Sequence, residues 1–331
     1  MGSGAGTLRP GSASLGTLPT TLSKLLSKFR RPVAAAEPDP SKPAEVAHWN
    51  EIDRRTKLGE RIFWLNHPRI FNHYTRKSLV DGLTWYEWVA RQFGGPAETA
   101  LELGCGSGAV LDKFLRGGII KTGVGIDLDA SRFTNDDRRL SFRAGDVNHA
   151  KLEPNRYDLI YAVQSFHHFE ELDAIMEQVR NALTDRGYFV MNEFVGPRRF
   201  QWTDGQLAVI AQLLGLMPKH LRMYASGVEK REEGRSTPEE VMRVSESEAV
   251  RSDEIVSAFY RHFNVVHHRK LGGTIQHLLY SGIIHNFPDD DAEINHMIDC
   301  IDGIETTLIE GGVLDSDFAI LIGTKHKPAG G

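Results

Sequence analysis

Ala100-Leu-Glu-Leu-Gly-Cys-Gly-Ser-Gly108 joins a short apolar run to three glycines at alternate positions. The run reads as a strand ending near Glu102 and Leu103. The glycines read as a turn in which the backbone takes positive φ or lies close against a ligand. A helix over Ala109–Leu115 follows, and its first turn offers unpaired N–H groups. A dinucleotide fingerprint would carry its third glycine one place later and seat a pyrophosphate on the helix end. Here Gly108 comes early, and Glu102 stands two positions before Gly104, where a carboxylate suits an ammonium group on the ligand.

Outward from this turn, short apolar runs alternate with amphipathic helices. Strands are expected at Thr99–Leu103, Thr122–Asp127, Leu140–Ala144, Tyr157–Val163 and Gly187–Asn192. Between the last two, Leu172, Ile175, Met176, Val179 and Leu183 share one helix face. Such alternation implies an α/β fold, with a parallel sheet covered on both faces. Thr203-Asp-Gly-Gln206 predicts a capping box, Ser252 predicts a helix cap, and strands near Val265–Leu271 and Phe318–Thr324 close the chain. Residues 1–43 carry five basic groups up to Arg31 and no acid before Glu37, and read as a flexible tail. Leu22–Arg31 also admits a short basic amphipathic helix or part of a transit peptide. Residues 44–96 read as a helical extension or lid, and 97–331 as the main domain, with cap insertions at about 203–251 and 272–317.

Two further acids stand in register with the glycine turn. Asp127 ends the second strand nineteen residues after Gly108, where a carboxylate can hold both hydroxyls of a ribose. Gly145-Asp146-Val147 ends the third, where an acceptor and a backbone N–H can read an adenine edge. Acids placed for an amino group, a ribose and an adenine describe S-adenosylmethionine.

On these motifs the chain resembles the class I, Rossmann-like S-adenosylmethionine-dependent methyltransferases from about residue 97 to 326. Glu102–Gly108 is similar to the family's first motif, Asp127 to its ribose-binding acid and Gly145-Asp146 to its adenine-side motif. Tyr157-Asp-Leu-Ile-Tyr-Ala-Val-Gln-Ser-Phe-His-His168 is similar to the fourth strand and the turn after it. The resemblance implies a doubly wound seven-stranded sheet in the order 3-2-1-4-5-7-6, with the last strand antiparallel. It implies S-adenosylmethionine as cofactor, S-adenosylhomocysteine as product and no metal. Its cofactor contacts would fall on Glu102, Gly104, Cys105, Gly106, Gly108, Asp127, Leu128, Asp146, Val147 and Gln164. The long segment 272–317 departs from the usual hairpin between the last two strands and resembles small-molecule and saccharide-modifying members.

Methyl transfer from a sulfonium is an in-line displacement, so positioning dominates and an oxygen acceptor gains from a base. His168 is the first candidate base, with a rate rising through a group near ~6.5, the ordinary imidazole value. A paired histidine here also reads as pocket wall. Glu193 ends the fifth strand and either orients a substrate or caps the next helix. His277 and His285 follow Gly272-Gly273, and either line the pocket or face core and solvent. Tyr74 is a candidate substrate contact, and Arg251 either clamps an anion or begins a helix. Asp289-Asp290-Asp291 reads as a helix start, not a metal site.

Composition removes several classes. The net charge is −5, no run approaches ~18 apolar residues, and two cysteines, Cys105 and Cys300, make neither a disulfide framework nor a CxxC zinc pair. A nucleic-acid partner and stable membrane insertion are therefore not expected. The reading is a cytoplasmic enzyme methylating a small molecule or sugar on oxygen. Homodimerisation is left open. N- or C-methylation of a natural-product intermediate and a non-catalytic cofactor-binding partner protein are the rival readings.

Overall fold

The computed structural model describes residues 42–129, 131, 133 and 137–325; the readings on the tail up to residue 41, Leu22–Arg31 included, lie outside them. Seven strands form one sheet: β1 Ala97–Leu103, β2 Ile120–Asp127, β3 Leu140–Ala144, β4 Tyr157–Val163, β5 Leu183–Phe194, β6 Asn264–Gly272 and β7 Phe318–Thr324. Their order is β3-β2-β1-β4-β5-β7-β6, with β7 antiparallel to both neighbours and the other pairs parallel. This is the doubly wound, Rossmann-like seven-stranded order that the resemblance implied. β5 starts before Gly187 because Leu183 already pairs with Tyr157, across a register irregularity before Leu159 meets Tyr188.

The helices are α1 Pro43–Lys57, α2 Pro68–Lys77, α3 Trp85–Phe93, α4 Ala109–Arg116, α5 Leu172–Ala182, α6 Asp204–Leu216, α7 Pro238–Val244, α8 Ile255–His262, α9 Gln276–Tyr280 and α10 Ala292–Glu310. Side chains alternate across β1. Leu101 and Leu103 pack with the apolar stripes of α5 and α8, while Ala100 joins Trp85, Phe114 and Tyr161 on the other face. Thr203 and Gln206 make the expected capping box, and Asp291 caps α10. Ser252 does not cap α8. Its hydroxyl donates to the Gly196 carbonyl and the residue opens a short 3₁₀ turn, because that carbonyl would otherwise be buried without a donor. Among the described residues no helix is long and apolar enough to cross a membrane.

One packing feature predicts a pH effect. Asp317 precedes β7 and is 3% exposed, with Gln206 of α6 donating to its carboxylate at 2.9 Å. Burial raises its pKa from the ordinary 3.8 to about 7. The folded chain therefore binds this proton more tightly than the unfolded chain does. The stabilisation is full below about pH 4 and is lost as pH rises through about 7. At 1.36 kcal/mol per unit, the ceiling is about 4 kcal/mol. Asp317→Asn, which still accepts from Gln206, should raise the melting temperature at pH 8 and flatten its fall between pH 5 and 8. Parallel melting curves for variant and parent would refute the assignment.

Candidate active site

The carboxyl ends of β1, β2, β3 and β4 open into one cavity. It is lined by Gly104, Gly106, Asp127, Leu128, Gly145, Asp146, Val147, Asn148, Gln164, Ser165, His168 and Phe169, with Lys42, Glu45, Trp49 and Ser247 opposite them. The turn after β1 is tied to β2: Gly104 and Cys105 donate to the Ile126 carbonyl at 2.8 and 3.0 Å. Gly106 N–H reaches the Asp127 carboxylate at 2.7 Å. Gly104 needs its missing side chain, since its φ is +69° and a Cβ would overlap that of Ser165. Ser165 in turn donates to the Leu103 carbonyl at 2.7 Å, binding the ends of β1 and β4 together.

At the end of β3, Asp146 accepts from Asn148 N–H at 2.8 Å and faces the Lys42 ammonium at 3.2 Å. α1 supplies the opposite wall. Asn50 donates to Asp129 at 3.0 Å, and Trp49 meets the His168 ring edge-on at 5.3 Å. Gln164 holds a positive φ of 53° at the cavity wall, a conformation that costs energy in a non-glycine residue. Its amide donates to the Tyr74 hydroxyl at 3.3 Å, which itself donates to Asn192 at 2.5 Å. Tyr74 is thus buried behind Gln164 and does not line the cavity, unlike the substrate contact expected of it.

Several other predicted residues lie elsewhere. Glu102 points to the α3 and α4 face of β1, is 2% exposed, and accepts from Tyr161 at 3.3 Å. Burial pushes its carboxyl well above the usual range, and it lies beneath the turn, outside the residues that line the cavity. Cys105 also turns inward, towards Gly125. Gly108 caps α4 at φ +72° and packs under Phe133 and Phe142 instead of facing the cavity. Arg251 does not clamp a ligand: its guanidinium donates to the Glu170 carbonyl and pairs with Glu254 at 2.5 Å. His285 is exposed in a short turn away from the cavity. His277 sits among Trp64, Phe194, Trp202 and Phe318, where burial lowers its pKa to about 4.

Glu193 is fully buried and its carboxylate is used up internally. One oxygen accepts from Ser165 and Phe166 N–H at 2.8 and 2.6 Å, the other from Phe194 N–H at 2.7 Å and His167 Nδ1 at 2.6 Å. No lone pair is directed at the cavity, so Glu193 shapes the turn after β4 and does not reach a substrate. Burial opposes charge on His167, but Glu193 and Glu248 hold its imidazolium and raise the pKa to about 10. His168 moves the other way. Burial and the neighbouring His167 charge lower it to about 3, so it is neutral across the physiological range and the expected titration near the ordinary imidazole value does not arise.

The polar segment after α7 delivers what the sequence did not single out. Val250 N–H bonds the His167 carbonyl at 3.1 Å and holds this segment against the histidine pair. Ser247 reaches His168 Nδ1 at 3.0 Å and bonds Glu45 of α1. Glu248 faces His167 Nε2 at 3.3 Å and His168 Nε2 at 3.9 Å. Burial would raise its pKa, but the two imidazoles bring it to about 2. The run Ser245-Glu-Ser-Glu248 looks like any solvated acidic stretch, so only its tertiary position reveals these residues.

Residues 101–191 match the family model described as "Methyltransferase domain". No curated protein matches the chain. Solved structures that resemble it include an S-adenosylmethionine-dependent methyltransferase from Mesorhizobium loti, at 14% identity and TM-score 0.41, covering 72% of this chain and 96% of that one. Another is the geranyl diphosphate C-methyltransferase of Streptomyces coelicolor, at 12% and 0.44, covering 73% and 76%. A third is phosphoethanolamine N-methyltransferase 2 of Haemonchus contortus, at 12% and 0.44, covering 80% of this chain and 59% of that one.

Proposed function

We propose that this chain, a class I S-adenosylmethionine-dependent methyltransferase by its sheet order and its methyltransferase-domain match, methylates an oxygen of a small-molecule or sugar acceptor in the cytoplasm. The observation that carries the oxygen reading is His168 Nε2. It is neutral, buried, and without a hydrogen-bond partner, on a ring that lines the cofactor cavity. A hydroxyl is the acceptor group that would satisfy it, because an O–H can donate to that nitrogen while its oxygen lone pair faces the methyl carbon.

In this reading the Gly104–Gly106 backbone approaches the methionine part and Asp127 takes the ribose hydroxyls, already braced by Gly106. Asp146 and Val147 take the adenine edge, while Trp49 of α1 and Lys42 just before it close the cavity. The sulfonium supplies the electrophile. The protein supplies alignment, exclusion of water, and a nitrogen that receives the hydroxyl hydrogen as the methyl arrives.

The test is mass spectrometry of a metabolite extract incubated with the enzyme and methyl-labelled cofactor. One labelled methoxy group should appear on a small molecule. Asp127→Ala should weaken calorimetric binding of S-adenosylhomocysteine by roughly 10–100-fold, the cost of unpairing the ribose hydroxyls. A labelled N-methyl or C-methyl product would overturn the oxygen reading. Tight cofactor binding without any transfer would point instead to a non-catalytic binder.

A further inference from the structure

We propose that His167 Nε2, His168 Nε2 and Glu248 form a binding site for one divalent transition-metal ion of the zinc, cobalt or iron(II) kind, at the edge of the cofactor cavity. The three ligand atoms lie within 4.8 Å of one another. The carboxylate is 3.3 Å from one imidazole nitrogen and 3.9 Å from the other. Bonds of about 2.0–2.2 Å to nitrogen and oxygen place neighbouring ligand atoms roughly 3–3.5 Å apart, so a small inward movement would complete the set. Two imidazoles and one carboxylate are the donors that borderline divalent ions select over magnesium or calcium.

The surroundings are those of a ligand set and not of a chance cluster. Each ring is oriented through its other nitrogen: His167 Nδ1 by Glu193 at 2.6 Å, and His168 Nδ1 by Ser247 at 3.0 Å. A carboxylate or hydroxyl behind a histidine aims its Nε2 and raises its basicity towards a metal. The two rings are consecutive in one 3₁₀ turn with centroids 4.2 Å apart, and both Nε2 atoms face the same carboxylate. His168 Nε2 is buried without a hydrogen-bond partner, a cost that an ion would remove. Glu248 arrives from a segment far along the chain, so the sequence carried no metal spacing and led to the expectation of none. His168 lines the cavity, so an open coordination position would face the acceptor side, where it could hold an acceptor's oxygen in place of the bare imidazole. A bound ion would take the lone pair of His168 Nε2 and displace the Nε2 proton of His167 to solvent, so the bare-imidazole role of His168 belongs to the metal-free chain, and the metal site does not depend on which atom is methylated.

The test uses the full chain, stripped with a chelator and dialysed, then titrated with Co²⁺. One equivalent should bind in the micromolar range or tighter, with visible d–d absorption. Zn²⁺ should displace it. Glu248→Gln should weaken Co²⁺ binding at least about 10-fold, while the affinity for S-adenosylhomocysteine stays within about threefold and reports that the variant is folded. If that variant loses cofactor binding, His168→Gln takes its place with the same expected loss of Co²⁺. No saturable Co²⁺ or Zn²⁺ binding, or binding undiminished in the folded variants, would overturn the site. Methyl transfer by the stripped protein, read separately, keeps failure of the metal distinct from failure of the methyltransferase reading.

Discussion

Glu193→Gln is expected to destabilise the protein by about 3–5 kcal/mol, the scale for removing one partner of a buried charged pair. The carboxylate accepts four hydrogen bonds, three from backbone N–H groups and one involving His167 Nδ1. An amide has one acceptor oxygen. In either orientation its NH₂ would meet N–H donors, facing Ser165 and Phe166 or else Phe194 and His167. The imidazolium would also lose the neighbour that sustains its charge. At about 2–4 °C per kcal/mol for a domain of this size class, the melting temperature should fall by roughly 6–20 °C. Cofactor binding should weaken as well, since Ser165 and the Gly104 turn rest on this carboxylate. A fall of less than about 1 kcal/mol by calorimetry and chemical denaturation would show that the turn holds itself without Glu193.

His168→Ala is expected to lower kcat by ~10²-fold, the lower end of what a proton acceptor contributes. Affinity for S-adenosylhomocysteine should change less than about threefold, because Asp127, Asp146 and the glycine turn make the proposed cofactor contacts. Its imidazole is already neutral well below neutrality, so the wild-type rate should show no inflection from this residue between pH 5 and 8. Steady-state kinetics on the labelled acceptor, with calorimetry alongside, checks both parts. Turnover kept at saturation with cofactor affinity lost would make His168 a wall of the cofactor pocket and remove it from the reaction.

The sheet was legible because local pattern and long-range order agree in a parallel fold. β1, β4, β5 and β7 contain apolar runs bounded by turn residues, whereas β3 and β6 are half polar and lie at the two edges of the sheet, and the glycine turn with Asp127 and Asp146 marks the ends of β1, β2 and β3. Gly104, Gly106, Asp127, Leu128, Asp146, Val147, Gln164 and His168 accordingly meet at one cavity. The errors concern which way a side chain turns. Glu102 occupies the expected strand end, yet alternation along β1 sends it to the helix-covered face beside Tyr161. Arg251 and His285 stand near the expected elements, but one is satisfied by Glu170 and Glu254 and the other faces solvent.

What the sequence determined by itself was the succession of strands and helices, the glycine turn and the acids at successive strand ends, set by short-range periodicity and turn chemistry, while the lateral order of the strands followed only from the family resemblance. What only the tertiary structure decided was the far wall of the cavity and the protonation of its histidines. Lys42 precedes α1, Glu45 and Trp49 lie on it, and Ser247 and Glu248 come from a polar segment with no periodicity of its own. Their placement depends on contacts between distant parts of the chain, such as Val250 on His167 and Glu45 on Ser247. The opposite shifts of His167 and His168 follow from the same cause. Adjacent residues of one type differ because Glu193 and Glu248 bracket the first ring, while burial and the first ring's charge act on the second.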